Sequence, residues 1–137
     1  MTPDALAALH AKCFEMPRPW SAAEFNSMLQ SYGVFLKSCE TGFILGREVA
    51  GEAEILTLAV DPARQRQGYG KVLLTMFEQE SLALSARVAF LEVAENNTAA
   101  CALYSAAGYC ESGRRPGYYR SAGGENIAAI TLRKALI

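Results

Sequence analysis

The chain has 137 residues, of which 51% are hydrophobic, 20% charged and 9% aromatic, and its net charge is −1. This length and composition predict a single folded domain over residues 1–137 and exclude a disordered chain. The apolar stretches are too short to span a bilayer, and the N-terminus lacks a basic region followed by an apolar one, so we expect a soluble, cytoplasmic protein that does not bind membranes.

The charges and cysteines exclude further classes of protein. Residues 1–60 carry a net charge of −3 and residues 61–137 a net charge of +2, which predicts no nucleic-acid-binding surface. The four cysteines have no C-x-x-C spacing, so we expect buried reduced thiols rather than zinc ligands or a disulfide framework. A metal cluster or a histidine-based nucleophilic mechanism would depend on His10, the only histidine, which we expect on the protein surface.

The first part of the chain predicts two helices and then three strands. Apolar residues at helical spacing predict a helix over residues 3–14, which prolines at 17 and 19 interrupt. A capping-box pattern at Ser21–Glu24 opens a second helix over about 22–30, and Gly33 ends it. The strands that follow are expected to form an antiparallel meander. They cover residues 34–39, 43–47 and 52–60.

The second part predicts alternating helices and strands. A helix over about 69–84 has an apolar stripe of Val72, Leu73, Met76, Phe77 and Leu84. It is followed by a strand over 88–94, a helix over 97–107 closed by Gly108, and strands over 109–113 and 127–132. This order predicts an α/β (α+β) protein with a mixed, mostly antiparallel central sheet and helices on both faces.

The segment from residue 58 to residue 71 leads from a strand through a glycine-rich loop into a helix. Gly68 and Gly70 lack the side chains that would keep a phosphate from the backbone amides, and the start of the helix adds unpaired N–H groups and its positive dipole end. Nearby cations add charge: Arg64, Arg66 and Lys71. The segment therefore predicts a phosphate-binding site.

Two better-known phosphate motifs do not fit. Leu73 stands where a dinucleotide-binding G-x-G-x-x-G requires glycine or alanine, and Val72 stands where a P-loop requires serine or threonine. A longer pattern does fit: Q-x-x-G-x-G follows a strand ending in Leu-Ala-Val-Asp-Pro, with Leu91–Asn97 and Ala102–Tyr109 further on. This pattern resembles the GNAT family of acetyl-CoA-dependent N-acetyltransferases from about His10 to the C-terminus.

Within that family, the chain is most similar to the ribosomal-protein-alanine N-acetyltransferase (RimI-like) group. The similarity lies in Pro19–Ser21 with Phe25, in Leu91–Val93 and in Gly113–Arg120. Members of that family usually begin with a strand before the first helix, whereas here the helix follows Met1 almost at once, so the strand is absent or the start has been placed too late. If the strand is absent, we expect an exposed sheet edge that could pair with another chain. We expect a monomer or weak dimer.

The resemblance implies acetyl-CoA as co-substrate and no metal. The pyrophosphate would lie on the amides of residues 65–70, the pantetheine arm along residues 58–60, and the thioester between Asn97 and Tyr104. The cofactor-binding residues are then expected to be Leu58, Ala59, Val60, Gln65, Arg66, Gln67, Gly68, Tyr69, Gly70, Lys71, Asn97, Ala100 and Tyr104. Asn97 is also a natural N-cap. On their helix, Asn97, Ala100 and Tyr104 share a stripe distinct from Ala99, Leu103 and Ala106, which we expect to face the core.

Two residues are expected to be catalytic. Alternation along the strand over 88–94 sets Glu92 among apolar neighbours, where a desolvated carboxylate binds a proton more readily and suits a general base. Glu92 could instead be paired with an arginine. We expect a backbone N–H near Val60 to hold the oxyanion. The resemblance implies that Glu92 removes the amine proton, directly or through water, and that Tyr104 protonates the departing thiolate. Tyr104 could alternatively be a packing residue that only orients the cofactor.

The acceptor is expected to be an amine. At pH 7 an α-amine is about 14% neutral and a lysine about 0.04% neutral, which favours a protein N-terminus, and the resemblance implies a ribosomal protein. The expected acceptor-binding residues are Trp20, Tyr32, Arg114, Arg115, Tyr118 and Tyr119. The basic and aromatic ones after Gly113 could equally form an ordinary solvated hairpin. Acetylation of a small amine or a lysine side chain, and a non-catalytic acyl-CoA-sensing module, remain alternatives.

Overall fold

The computed structural model describes residues 1–14 and 18–137, so the predicted interruption at Pro17 lies outside the described residues. The helices are α1 (Pro3–Cys13), α2 (Ala22–Leu29), α3 (Tyr69–Ala83) and α4 (Thr98–Ala106). The strands are β1 (Val34–Cys39), β2 (Gly42–Val49), β3 (Glu52–Val60), β4 (Val88–Ala94), β5 (Cys110–Arg120) and β6 (Asn126–Ala135). Among these residues, no helix is long and apolar enough to cross a membrane.

The strands form one six-stranded sheet in the order β1-β2-β3-β4-β6-β5. All neighbouring pairs are antiparallel except β3 and β4, which are parallel. Helices α1 and α2 cover one face over a core of Leu6, Phe25, Phe43, Leu45 and Ala59. Helices α3 and α4 cover the other face over a second core. The predicted mixed, mostly antiparallel sheet with helices on both faces is confirmed.

The predicted capping box forms at the start of α2. The Ser21 hydroxyl accepts a hydrogen bond from the Glu24 N–H at 3.2 Å, and the Glu24 carboxylate accepts one from the Ser21 N–H at 3.0 Å. These two bonds satisfy donors that a helix N-terminus leaves unpaired. The capping box therefore sets the residue at which α2 begins.

Both predicted helix stripes need correction. In α3 the buried side chains are Leu73, Leu74, Phe77 and Ser81, whereas Val72 is 50% exposed and Leu84, which lies beyond the last helical residue, is 41% exposed. In α4 the predicted core residues Ala99 and Ala106 are exposed. The core instead receives Ala100, Cys101, Leu103, Tyr104 and Ala107. The large Tyr104 ring, rather than the alanines, determines which face of α4 packs inward.

Two other expectations differ from the structure. Strand β5 continues past Gly113 to Arg120, because its register shifts let it stay paired with β6 around Gly117. The cysteines are unpaired, as predicted, but Cys13, Cys39 and Cys101 are only half-buried and Cys110 is exposed. Cys110 begins the edge strand β5, which leaves its side chain open to solvent.

The sheet opens between β3 and β4. Leu45 of β2 lies opposite Thr57, but the next residue, Gly46, lies opposite Ile55, so Leu56 is an extra residue in β3. Such a bulge bends its strand. Parallel pairing of β3 with β4 ends at Glu54 and Phe90, although both strands continue. The two strands therefore diverge toward their carboxyl ends.

Candidate active site

A cleft of about 800 Å³ lies where β3 and β4 diverge. Its walls come from both sides of the sheet: α1 on one side, and the start of α3 together with α4 on the other. The bulge in β3 and the parallel pairing that stops short thus create the opening. A ligand in this cleft can contact groups from both faces of the sheet.

The predicted glycine-rich loop forms one end of the cleft. Gly68 adopts a left-handed φ of +87° at the N-cap of α3, and no side chain caps that helix. The first N–H groups of α3 are therefore free of a side-chain cap, which is the arrangement that binds anions. A Cβ added at Gly70 would lie 3.2 Å from the Leu103 side chain. The small residue at this position thus lets α3 approach α4 closely.

Side chains within the loop hold its shape. The Arg64 guanidinium donates to the Tyr69 hydroxyl at 2.9 Å and lies over the Tyr69 ring at 5.4 Å. The Gln65 amide donates to the Val60 carbonyl at 3.1 Å. Arg66 adopts a φ of +63°, which is strained for a residue with a side chain. These contacts connect the loop to β3 and to the start of α3.

Part of β3 offers backbone groups to the cleft. The Asp61 N–H donates to the Thr41 carbonyl at 2.8 Å, so the backbone groups of Asp61 point toward β2. The backbone groups of the preceding residue, Val60, therefore point away from β2. Accordingly, the Val60 carbonyl accepts from the Gln65 amide and from the Cys13 thiol at 3.2 Å. Because the two backbone groups of an extended residue point the same way, the Val60 N–H faces the cleft.

Glu92 lies on the α1/α2 face of β4, as the alternation predicts, because its neighbours Leu91 and Val93 belong to the core on the other face. Its surroundings are less apolar than predicted. The side chain is 26% exposed, and its carboxylate lies 3.4 Å from the Arg115 guanidinium. Arg115 reaches this position because β5 continues past Gly113 and pairs with β6 there. The interpretation of Glu92 as a carboxylate paired with an arginine therefore fits the structure.

Tyr104 packs under the cleft. Its ring meets that of Tyr109 edge-on, with centroids 5.7 Å apart, and the residue is 5% exposed. Burial, with a smaller effect from Cys101, raises the pKa of Tyr104 above its usual range. No hydrogen bond to its hydroxyl comes from residues 1–14 or 18–137, and the side chain lines the cleft. The phenol is thus a protonated donor, available to a ligand.

His10 is buried, at 1% exposure, so the prediction of a surface histidine is wrong. The ring accepts a hydrogen bond at Nδ1 from the Trp20 N–H at 3.0 Å, so Nε2 carries the proton and donates to the Thr57 hydroxyl at 2.9 Å. Desolvation lowers the pKa of His10 to about 4, against a smaller raising effect of Glu24. His10 lies four residues from both Leu6 and Phe14, a helical spacing that could have placed it on the buried face.

The structure brings most, but not all, of the predicted site residues together. The predicted residues that line the cleft are Trp20, Leu58, Ala59, Val60, Gln65, Arg66, Gly68, Tyr69, Gly70, Lys71, Glu92, Asn97, Ala100, Tyr104 and Tyr119. Those that do not line it are Tyr32, Gln67, Arg114, Arg115 and Tyr118. Tyr32 is 86% exposed in the turn before β1. Arg114 instead pairs with Glu95 and Glu111.

Other lining residues were not predicted as site residues. They include His10, Cys13, Phe14 and Glu54. Asn97 does act as the N-cap of α4, accepting from the Ala100 N–H at 3.2 Å. Tyr119 lies close enough to Glu92 that, after the larger effect of burial, the glutamate charge helps to raise the pKa of the phenol. The cleft therefore has an amide-rich end and an end with acidic and aromatic side chains.

The sequence and the fold are both similar to those of known proteins. Residues 4–109 match the model of the acetyltransferase (GNAT) family. A [ribosomal protein bS18]-alanine N-acetyltransferase of Escherichia coli (strain K12) is 33% identical over 133 residues, which cover 94% of this chain and 90% of the relative. An N-alpha-acetyltransferase RimI of Mycobacterium tuberculosis (strain ATCC 25618 / H37Rv) is 36% identical over 138 residues, covering 93% and 83%. The crystal structure of the ribosomal-protein-S18-alanine N-acetyltransferase from Escherichia coli superposes with a TM-score of 0.85 at 29% identity, covering 98% of this chain and 87% of that one.

Proposed function

Because the chain belongs to the acetyltransferase (GNAT) family and is an N-acetyltransferase, we propose that it transfers the acetyl group of acetyl-CoA to the N-terminal α-amine of a protein. The acceptor we propose is a ribosomal protein whose chain begins with alanine, since that is the acceptor in the name of the Escherichia coli relative. One observation carries the proposal: a single cleft joins an amide-rich loop on one face of the sheet to a carboxylate on the other.

The amide-rich end is the proposed cofactor site. The pyrophosphate of acetyl-CoA lies on the N–H groups from Gln65 to Gly70, where the uncapped start of α3 also favours an anion. The pantetheine arm runs along the part of β3 from Leu58 to Val60 that has left β4. Lys71 and Arg66 add positive charge at the cleft wall. The acetyl group then lies between the two faces of the sheet.

The reaction needs a neutral amine, a donor for the oxyanion and a proton for the thiolate. Glu92 removes a proton from the acceptor ammonium, directly or through water, and the neutral nitrogen attacks the thioester carbon. The carbonyl oxygen becomes an oxyanion, which the Val60 N–H stabilises. The C–S bond then breaks and the sulfur takes a proton from Tyr104. The nitrogen loses its second proton as the amide forms, and that proton, directly or through water, restores the Tyr104 phenol. Arg115 is close enough to Glu92 to orient its carboxylate.

The raised pKa of Tyr104 limits when its proton moves. The pKa of an ordinary phenol, near 10, is already above that of a thiol, near 8.5, and the burial of Tyr104 widens this difference in pKa. Tyr104 therefore acts first as a hydrogen-bond donor to the sulfur. Complete transfer follows only late, as negative charge develops on the departing thiolate.

Peptide acetylation measured by mass spectrometry tests the proposed acceptor. An array of peptides is incubated with acetyl-CoA, each peptide in three forms: with a free N-terminus, with a blocked N-terminus, and with a blocked N-terminus plus an internal lysine. We expect a mass gain of one acetyl group only in the first form, strongest for N-terminal alanine. Acetylation of lysines or free polyamines, with none at peptide N-termini, would contradict the proposed acceptor.

Calorimetry and thiol release complete the test. We expect acetyl-CoA to bind the enzyme alone, and free thiol to appear only when a peptide amine is added. Binding without thiol release for every amine would instead indicate an acyl-CoA-sensing module.

A further inference from the structure

Glu54 is an acidic residue of the cleft to which the reaction above assigns no task. Its neighbours Ala53 and Ile55 belong to the core under α3 and α4, so Glu54 points to the opposite face of the sheet. Glu92 is placed on that same face, since it lies between two core residues of β4. Both residues line the cleft.

The register of the sheet sets these two residues diagonally across neighbouring strands. Glu54 pairs with Phe90 in the last matched position of β3 and β4, and Glu92 lies two residues further along β4. Spacings of about 4.8 Å between strands and 3.3 Å per residue place the two Cα atoms about 8 Å apart, and the divergence of the strands beyond this pair adds to that distance. An amine that reaches Glu92 therefore comes within electrostatic range of Glu54.

Arg47 fixes the position of the Glu54 side chain. It lies opposite Glu54 on β2, and its guanidinium is 3.1 Å from one carboxylate oxygen. The Glu54 side chain is 30% exposed and that of Arg47 is 39% exposed, so the pair adds little to stability by itself. The arginine nevertheless holds the carboxylate in one orientation beside the cleft.

We propose that Glu54 is a further acceptor-binding residue, which attracts the positively charged N-terminus of the acceptor and, together with Glu92, holds it in the cleft. This inference rests on the proposed function, since it concerns an α-amine acceptor. At pH 7 about 86% of α-amines carry a proton, so the acceptor arrives as a cation. Glu54 attracts that cation and Arg47 repels it, so removing the two charges should change the KM of the acceptor in opposite directions.

Substitution of each partner separates this role from a structural one. E54Q and R47Q break the same ion pair, so a structural role changes both variants in the same direction. An electrostatic role predicts that E54Q raises the KM for a six-residue peptide with N-terminal alanine about fivefold, and that R47Q lowers it. We expect kcat and the Kd of acetyl-CoA to stay within twofold of the wild-type values. Added salt should shrink the KM difference between the two variants.

E52Q is the matched control. Glu52 lies on the same strand and the same face, and pairs with Arg133 at 3.4 Å, but it does not line the cleft. We expect its KM to equal that of the wild type. Equal KM values for E54Q and E52Q would overturn the inference, as would an increase of KM in R47Q.

The design distinguishes this inference from the proposed function. If the wild type acetylates no peptide N-terminus, the proposed function fails. If the wild type is active but the opposite-sign pattern is absent, only the role of Glu54 fails. Should E54Q not fold, R47Q decides alone, because a KM equal to or above that of the wild type overturns the proposal.

Discussion

Acidification is expected to destabilise the fold through His10. The neutral ring is buried between Phe14, whose ring centroid is 4.3 Å away, and hydrogen-bond partners on both nitrogens. A proton added at Nδ1 would face the Trp20 N–H, which is itself a donor. The folded pKa of about 4 lies below the value of about 6.5 in the unfolded chain. The stabilisation of the folded state by neutral His10 is therefore fully present above pH 6.5 and is lost as the pH falls through 4.

The size of this effect follows from linkage. A difference of about 2.5 pH units between the folded and unfolded pKa predicts a loss of about 2 kcal/mol by pH 5 and about 3 kcal/mol by pH 4. Such a loss is a large part of the 5–15 kcal/mol that stabilises a typical domain. Since His10 is the only histidine in the chain, no other imidazole contributes to this window.

Urea unfolding between pH 7 and pH 4 measures the effect in the wild type and in H10Q. The variant has no imidazole, so we expect it to be less stable at pH 7 but to lose less stability on acidification. The difference in unfolding free energy between the two proteins should shrink by about 3 kcal/mol over this range. A constant difference from pH 7 to pH 4 would refute the argument, because it would mean that His10 titrates alike in both states.

Three further predictions concern the proposed chemistry. Y104F should lower kcat about 100-fold while the Kd of acetyl-CoA, measured by calorimetry, stays within twofold; full activity would remove Tyr104 as the acid. E92Q should lower kcat/KM about 100-fold at pH 7, and its remaining rate should rise about sevenfold by pH 9 as the α-amine becomes neutral. Gly68 and Gly51 share a φ of +87°, and a Cβ added at either would have no neighbour within 4 Å. G68A and G51A should therefore each lower the unfolding free energy by about 1 kcal/mol. Only G68A should weaken acetyl-CoA binding. Equal cofactor affinity in both glycine variants would argue against the loop as the pyrophosphate site.

Local signals predicted the order of the elements well. The Ser21–Glu24 capping box and the left-handed glycine after α4 act through neighbouring residues, so a sequence pattern is enough to locate them. The length of β5 was not predictable in this way. Its continuation to Arg120 depends on pairing with β6 across register shifts, and such pairing is a property of two segments rather than one.

The candidate site, too, is predictable where neighbouring residues form it and not where distant segments meet. The loop over 65–70 is contiguous, so the sequence alone predicts it. Glu54 and His10 enter the cleft only because the bulge in β3 opens the sheet and α1 packs across it. The Arg115 partner of Glu92 likewise depends on the longer β5. Glu54, His10 and Arg115 share no sequence pattern with the other site residues, because only the packing of separate elements brings them to this place.

A crystal structure of the enzyme with acetyl-CoA tests the central claim most directly. We predict that the diphosphate accepts hydrogen bonds from backbone N–H groups between Gln65 and Gly70, and that the thioester sulfur lies within about 3.5 Å of the Tyr104 hydroxyl. Its carbonyl oxygen should face the Val60 N–H. Acetyl-CoA bound elsewhere on the protein, or a sulfur remote from Tyr104 with the cleft between β3 and β4 empty, would contradict the account.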